Sequence, residues 1–281
     1  MGVRRGKHRA MSTEFEAILV GDDEEHLEAA MALVWEEIDR VERLLSRYDP
    51  ASEVYRVNRQ AYQRPVKLSV ELREVLAECL YWHAQTNGAF DFVASKEGNS
   101  RQRLGSLVLD FDPDARTLAF GDERAELDFG GYGKGYALDR VRMLLQRYGI
   151  ADAFVNGGRS SRMGLGSVLT GELGSYHLVD RSLSISAAQW TENDPLDVID
   201  PRTGEPVTKR SLCRVDATSG ALAEILSTAF IVTGQRGLHH AACSYLRDDE
   251  RILDVAYTWG PKGYETTTNA RSIRGECGTT Q

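Results

Sequence analysis

Between residues 126 and 139 the chain reads ELDFGGYGKGYALD, four glycines and a lysine between an apolar, strand-like start and an amphipathic helix expected over 136–148. Backbone amides left free where a helix begins, with Lys134 beside them, suit the oxygens of a phosphate. Exposed carbonyls in the loop before the helix suit a hard cation. Two common nucleotide signatures fail on spacing. A GxxxxGK[ST] phosphate loop would need glycine where Asp128 stands and a hydroxyl residue where Gly135 stands. A GxGxxG dinucleotide fingerprint would need glycine at Tyr136 when counted from Gly131, or at Leu138 when counted from Gly133. The alternative reading is structural: glycines that permit a tight strand-to-helix connection with positive φ values.

Several elements must surround such a loop. The segment EFEAILV at 14–20 reads as a strand, and from 22 to 45 the residues Leu27, Met31, Val34, Trp35, Ile38, Val41 and Leu45 recur at helical spacing behind an Asp22 or Asp23 cap. Asp49-Pro50 marks a turn, Ser52 caps a short helix ending near Asn58, and a second amphipathic helix over 69–85 stops at Asn87-Gly88. A polar loop over 96–103 precedes a hairpin of SLVLDFD and TLAFGD around Asp112-Pro113-Asp114. Beyond the glycines come a strand at AFVNGG, short strands to about Ile199, a turn at IDPRTGEPV, a strand at SLCRVDAT, helices over 222–232 and 238–247, and ILDVAYTW closing the sheet. The expectation is an α+β fold of mixed sheets and packed helices, one domain over 11–264. Residues 1–10 read as a disordered basic leader and 265–281 as a disordered tail.

Composition narrows the functional classes. With 281 residues, 42% hydrophobic content, a net charge of -8 and a pI near 5.4, the chain can build a core but lacks the dense basic surface that nucleic acid requires. The basic cluster Arg4, Arg5, Lys7 and Arg9 is followed by AMSTEFEAILV rather than a long apolar run, so neither a signal peptide nor a membrane anchor is expected. Cys79, Cys213, Cys243 and Cys277 form no CxxC pair and read as reduced thiols of a cytoplasmic protein.

Seven segments, in order, resemble one family. LDFGGYGKGYALD is similar to LDxGxxxKGYAxD of the ApbE family, the magnesium-dependent FAD:protein FMN transferases, and MSTEFEA at 11–17 to its MGTxFE. LSRYDPASEVYRVN at 45–58 resembles S.Y.p.SE...lN, TNGAFD at 86–91 resembles TxGaFD, and VNGG at 155–158 resembles VNlGG with one residue missing. IDPRTGEPV at 199–207 is similar to IDPrTGxPV, and AEILSTAF at 223–230 to ADaxsTa. Together these cover roughly residues 11–260.

The resemblance implies an ApbE-like α+β fold, FAD as substrate, Mg2+ as cofactor and an acceptor flavoprotein as partner. It implies flavin or nucleotide contacts at Met11, Tyr48, Ala89, Phe90, Asp91, Asp128, Lys134 and Val198, where apolar and aromatic groups suit a flat heterocycle and Lys134 a phosphate. It assigns the metal to Gly131, Glu224, Ser227 and Thr228, the last three at i, i+3 and i+4 of a helix and so on one face. The chain also departs from the family. Glu224 replaces the usual Asp, and the His before IDPrTG is Asp197, which leaves Asp197 and Lys134 as the catalytic candidates. Arg159 replaces the acid after the paired glycines, Ser186 stands without the flanking glycine and acid, and none of the six histidines lies in a matched segment. Three activities fit: FMN transfer to a Ser or Thr hydroxyl with AMP released, FAD pyrophosphate hydrolysis, or flavin binding without chemistry.

Overall fold

A computed structural model describes residues 1–96, 108–158, 160–166, 178–189, 198–243, 249–259 and 264–269, and not the side chains of 235, 236, 238–243, 259 and 264–269. Its largest sheet runs β1(Gly2–Ala10), β2(Thr13–Gly21), β8(Asp152–Gly157), β9(Ser161–Leu165), β10(Arg181–Ala188), β11(Ser211–Ala217), β12(Ile252–Trp259) and β13(Tyr264–Asn269), in that spatial order. A second sheet orders β3(Val66–Lys67), β6(Thr117–Phe120) and β5(Leu109–Asp112), and a third pairs β4(Val93–Ser95) with β7(Ala125–Leu127). The α+β class is as expected, and every pairing among the described strands is antiparallel.

Helices fill the space between the sheets. In α1(Glu24–Leu45) the buried Leu27, Met31, Val34, Ile38, Val41 and Leu45 form the expected stripe, and Asp23 caps it by accepting the His26 amide at 3.1 Å. Leu27, Met31, Val34 and Ile38 pack with Phe15, Leu19, Leu138, Val141 and Val155 into one core, while Val41 and Leu45 reach into the second. The short α2(Glu53–Gln60), α3(Val70–Gln85), the small sheets and α5(Gly220–Cys243) form the other. Gly234, at φ 65, is non-helical and divides α5 into two helices that meet at a kink, in line with the two expected there. Between the cores runs α4(Gly133–Arg147), which begins three residues before the expected 136.

Both ends of the expected domain change. Residues 2–10, expected as a disordered leader, are the edge strand β1. Their polar residues conceal a period of two: Arg4, Gly6, His8 and Ala10 face α1, where Arg4 meets Glu28 at 3.1 Å, His8 meets Asp39 at 2.6 Å, and the His8 ring stacks on Trp35. Lys7, on the other face, pairs across the ladder with Glu16 at 2.7 Å. Likewise the expected tail begins inside β13, which pairs antiparallel beside β12. Most of the polar loop expected at 96–103, and the tail beyond 269, lie outside the described residues. Among the described residues no helix is long and apolar enough to cross a membrane.

Candidate active site

The glycine-rich loop leaves β7 at Asp128, whose Oδ1 accepts the Gly130 amide at 2.9 Å. The Tyr132 and Gly133 amides then close on the Phe129 carbonyl at 3.0 and 2.8 Å and start α4. None of Gly130, Gly131, Gly133 and Gly135 has a positive φ, so the permissive-backbone reading is replaced by one of close approach. A Cβ on Gly135 would stand 2.1 Å from the Gly220 carbonyl oxygen, one on Gly133 3.1 Å from the Met11 methyl, and one on Gly131 3.4 Å from the Thr228 hydroxyl. At Gly135 and Gly220, α4 and α5 therefore meet backbone to backbone. Asp139 completes the junction by capping α5, accepting the Gly220 and Ala221 amides at 2.6 and 3.0 Å and the Ser219 hydroxyl at 2.8 Å. Burial raises its carboxyl pKa, and these donors oppose the shift.

Two clefts open on either side of this loop and share Asp128 and Gly130. One, of about 120 Å³, is lined by Met11, Ser12, Glu42, Arg47, Tyr48 and Lys134 among others. Met11 and Ser12 form the two-residue turn between β1 and β2, both left-handed at φ 50 and 59, and the Met11 amide is held by Glu42 at 2.9 Å. The other, of about 340 Å³, is lined by Ala89, Phe90, Asp91, Gly131, Val198 and Thr228. Its walls are set by two turns. At TNGAFD, Thr86 Oγ1 accepts the Phe90 amide at 3.1 Å, with Asn87 and Gly88 both left-handed. At IDPRTGEPV, the Val207 amide donates to the Val198 carbonyl at 2.8 Å. A larger cleft of about 850 Å³ among α1, α2 and β3 contains none of the expected site residues.

Beneath the loop, Glu224 is 4% exposed on α5. Its Oε1 accepts the Ser161 hydroxyl of β9 and lies 3.4 Å from the Lys134 ammonium, while Oε2 is buried with no hydrogen-bond partner among the described residues. The Thr228 hydroxyl, one helical turn on, faces Gly131. Glu224 Oε2, the Thr228 hydroxyl and the loop carbonyls at 130–131 are thus the hard oxygen donors that could hold a cation. Lys134 reaches back to the Gly130 carbonyl at 3.5 Å.

Of the residues singled out from the sequence, Met11, Tyr48, Asp128 and Lys134 share the first cleft, and Ala89, Phe90, Asp91, Gly131, Val198 and Thr228 the second. Tyr48 stands 71% exposed at the mouth, its hydroxyl accepting from Arg47 at 2.6 Å. Phe90 is buried in a run of rings through Phe92, Phe129, Tyr132 and Tyr136. Asp128 is both a turn former and a cleft residue, and Arg47 holds its other oxygen at 3.3 Å. Ser227 turns away from the clefts. Its hydroxyl is engaged with Ser184 at 3.0 Å, Ser186 at 2.8 Å and the Glu224 carbonyl at 3.2 Å, which binds α5 to β10. Asp197 lies outside the described residues. Within SRYDPASEVYRVN, Glu53 and Asn58 act as pins: Glu53 accepts the Ser69 amide at 2.8 Å, and Asn58 brackets the Leu127 peptide at 3.0 and 2.7 Å. Sequence reasoning missed Ser161, Arg47 and Glu42. Nothing in their spacing marks them, because each acts across the fold.

Comparison with known proteins gives a consistent result. The ApbE family profile matches residues 11–168. The FAD:protein FMN transferase of Klebsiella pneumoniae is 26% identical over 251 residues, covering 72% of this chain and 70% of the relative. That of Chlamydia trachomatis is 26% identical over 254 residues, covering 75% and 79%. That of Chlamydia muridarum is 25% identical over 207 residues, covering 62% of this chain and 65% of the relative, just under two thirds of its length. Among solved structures, the flavin transferase ApbE of Vibrio cholerae superposes with a TM-score of 0.77 at 20% identity, covering 96% of this chain and 98% of that one. The Pseudomonas stutzeri flavinyl transferase ApbE gives 0.78 at 20% identity, covering 96% and 97%. These two matches establish a shared fold.

Proposed function

The chain belongs to the ApbE family, and on that premise we propose that it is an FAD:protein FMN transferase, moving FMN from FAD to a Ser or Thr hydroxyl of an acceptor flavoprotein. The observation that carries this reading is the single junction at which Lys134, Glu224, Thr228 and Gly131 meet beneath two clefts joined at Asp128 and Gly130. In the transfer, the acceptor hydroxyl oxygen bonds to the FMN phosphorus, the pyrophosphate bridge breaks, and AMP leaves with that bridging oxygen. Lys134, at the start of α4, balances charge on the phosphoryl oxygens, the first cleft's walls at Met11 and Tyr48 suit the flat part of the substrate, and Val198 lines the second cleft. Asp197, beside Val198, is the candidate to receive the hydroxyl proton.

The residues present fit a magnesium ion. Glu224 Oε2 is a buried carboxylate oxygen without a partner among the described residues, an arrangement that costs about 1–3 kcal/mol unless a ligand completes it. Glu224, Thr228 and a loop carbonyl at Gly131 would hold the ion, with Ser227 as their support from behind. Once bound, the ion supplies charge neutralisation at the pyrophosphate. Among the described residues no cluster of three or more His, Cys, Asp or Glu side chains offers an alternative cage. The buried free thiols of Cys79 and Cys213 support a cytoplasmic setting.

Incubation with FAD and Mg2+, with and without a flavoprotein acceptor, tests the reading. Covalent flavin on the acceptor with AMP in solution is the expected result. AMP with free FMN would make the protein a pyrophosphatase, and no AMP under any condition would make it a binding protein.

A further inference from the structure

The Glu224 side chain is one methylene longer than the family's usual Asp, and it does not hang free. Ser161, 1% exposed at the start of β9, donates its hydroxyl to Glu224 Oε1, and Ser160 backs Ser161 at 3.2 Å. Lys134 approaches the same oxygen at 3.4 Å, so among the described residues both contacts fall on Oε1 and none on Oε2. We propose that Ser161 is a positioning residue for the cation site: it anchors Oε1 and so turns Oε2 toward the donors at Thr228 and Gly131. The proposal rests on the metal reading given above.

The physical reason is rotational freedom. A buried glutamate has one more rotatable bond than aspartate, and without a tether it would hold its carboxylate in several orientations, of which few serve a cation that demands octahedral geometry. A hydrogen bond from the strand removes that freedom before any ion arrives. Lys134 cannot substitute for it, because a flexible ammonium constrains the carboxylate's direction less than a hydroxyl fixed on a β-strand. Glu224→Asp would draw the carboxylate back by about 1.5 Å, one C–C bond, and out of reach of Ser161. The serine and the glutamate therefore form a pair in which each explains the other.

The test is a double-mutant cycle read by Mn2+ binding, with the electron paramagnetic resonance signal of the free aqueous ion as the measure and Mn2+ as an oxygen-seeking probe for magnesium. Ser161→Ala in the native background should weaken Mn2+ binding about tenfold, the scale of losing a partner that orients a ligand. Ser161→Thr, which keeps the hydroxyl, should restore most of the affinity. In a Glu224→Asp background, Ser161→Ala should change the affinity less than twofold. If Ser161→Ala proves insoluble, Ser161→Cys, a weaker donor of similar size, carries the same comparison. Equal losses in both backgrounds, or no loss in a folded Ser161→Ala protein, overturn the proposal. Glu224→Gln separates this failure from that of the underlying reading: if it binds Mn2+ as tightly as the native protein, the cation site itself is wrong.

Discussion

Glu78 sits half-buried on α3 and accepts the Tyr132 hydroxyl at 2.8 Å. Burial raises its carboxyl pKa above the ordinary 4.5; the Tyr132 hydrogen bond opposes the shift and the Asp139 charge adds to it. A carboxyl with a raised native pKa binds its proton more tightly folded than unfolded, so its charged form weighs against the fold at neutral pH. That cost fades as pH falls through the native pKa and is gone below the unfolded value, near 4.5. Glu78→Gln keeps an acceptor for Tyr132 and removes the charge. It should raise the melting temperature at neutral pH, with the gain shrinking on acidification and absent below about pH 4.5. Thermal unfolding of both proteins across this range checks it, and parallel pH profiles would show that Glu78 is not the responsible group. The residue scale also marks the limit of sequence reading. Lys134 and Asp128 are legible because they are bound to a local motif, whereas Ser161 meets Glu224 across 63 positions of chain.

At the scale of elements, motif residues that resemble ligands prove to be fasteners. Asn58, 5% exposed, imitates a peptide toward Leu127 and so fixes the end of β7 from which Asp128 projects. Asn58→Leu would leave the Leu127 amide and carbonyl buried without partners, and should cost about 2–4 kcal/mol in urea unfolding. FAD affinity should fall with it, since the Asp128 turn loses its anchor. A variant with native stability would show that water replaces the side chain. Gly135 is the counterpart on α4. Gly135→Ala places a methyl against the Gly220 carbonyl, where neither backbone can yield without parting α4 from α5, and should cost about 3 kcal/mol or more. The Lys134 to Glu224 approach would open at the same time. Equilibrium unfolding checks the first effect, and loss of FAD binding in the protein that remains folded checks the second.

For the molecule as a whole, the first ten residues give the clearest test. A disordered leader could be removed without consequence, but β1 covers the edge of β2, seats His8 against Trp35 and ends in the turn that presents Met11. Deleting residues 1–10 should lower the melting temperature by several degrees, expose the β2 edge to association and weaken FAD binding; unchanged melting and affinity would return β1 to the status of a leader. Much of this protein is written in neighbouring residues. Helical periodicity marked α1 and α3, turn residues marked Asp112 and Asn87-Gly88, and seven ordered motifs pointed to the family. The remainder came from packing, which made the polar start a strand through partners on α1, turned Ser227 into the sheet, gave the glycines to the contact of α4 with α5, and brought Ser161 to Glu224. A hydrogen bond or a backbone contact between distant segments depends on how elements pack, and packing leaves no local spacing to read.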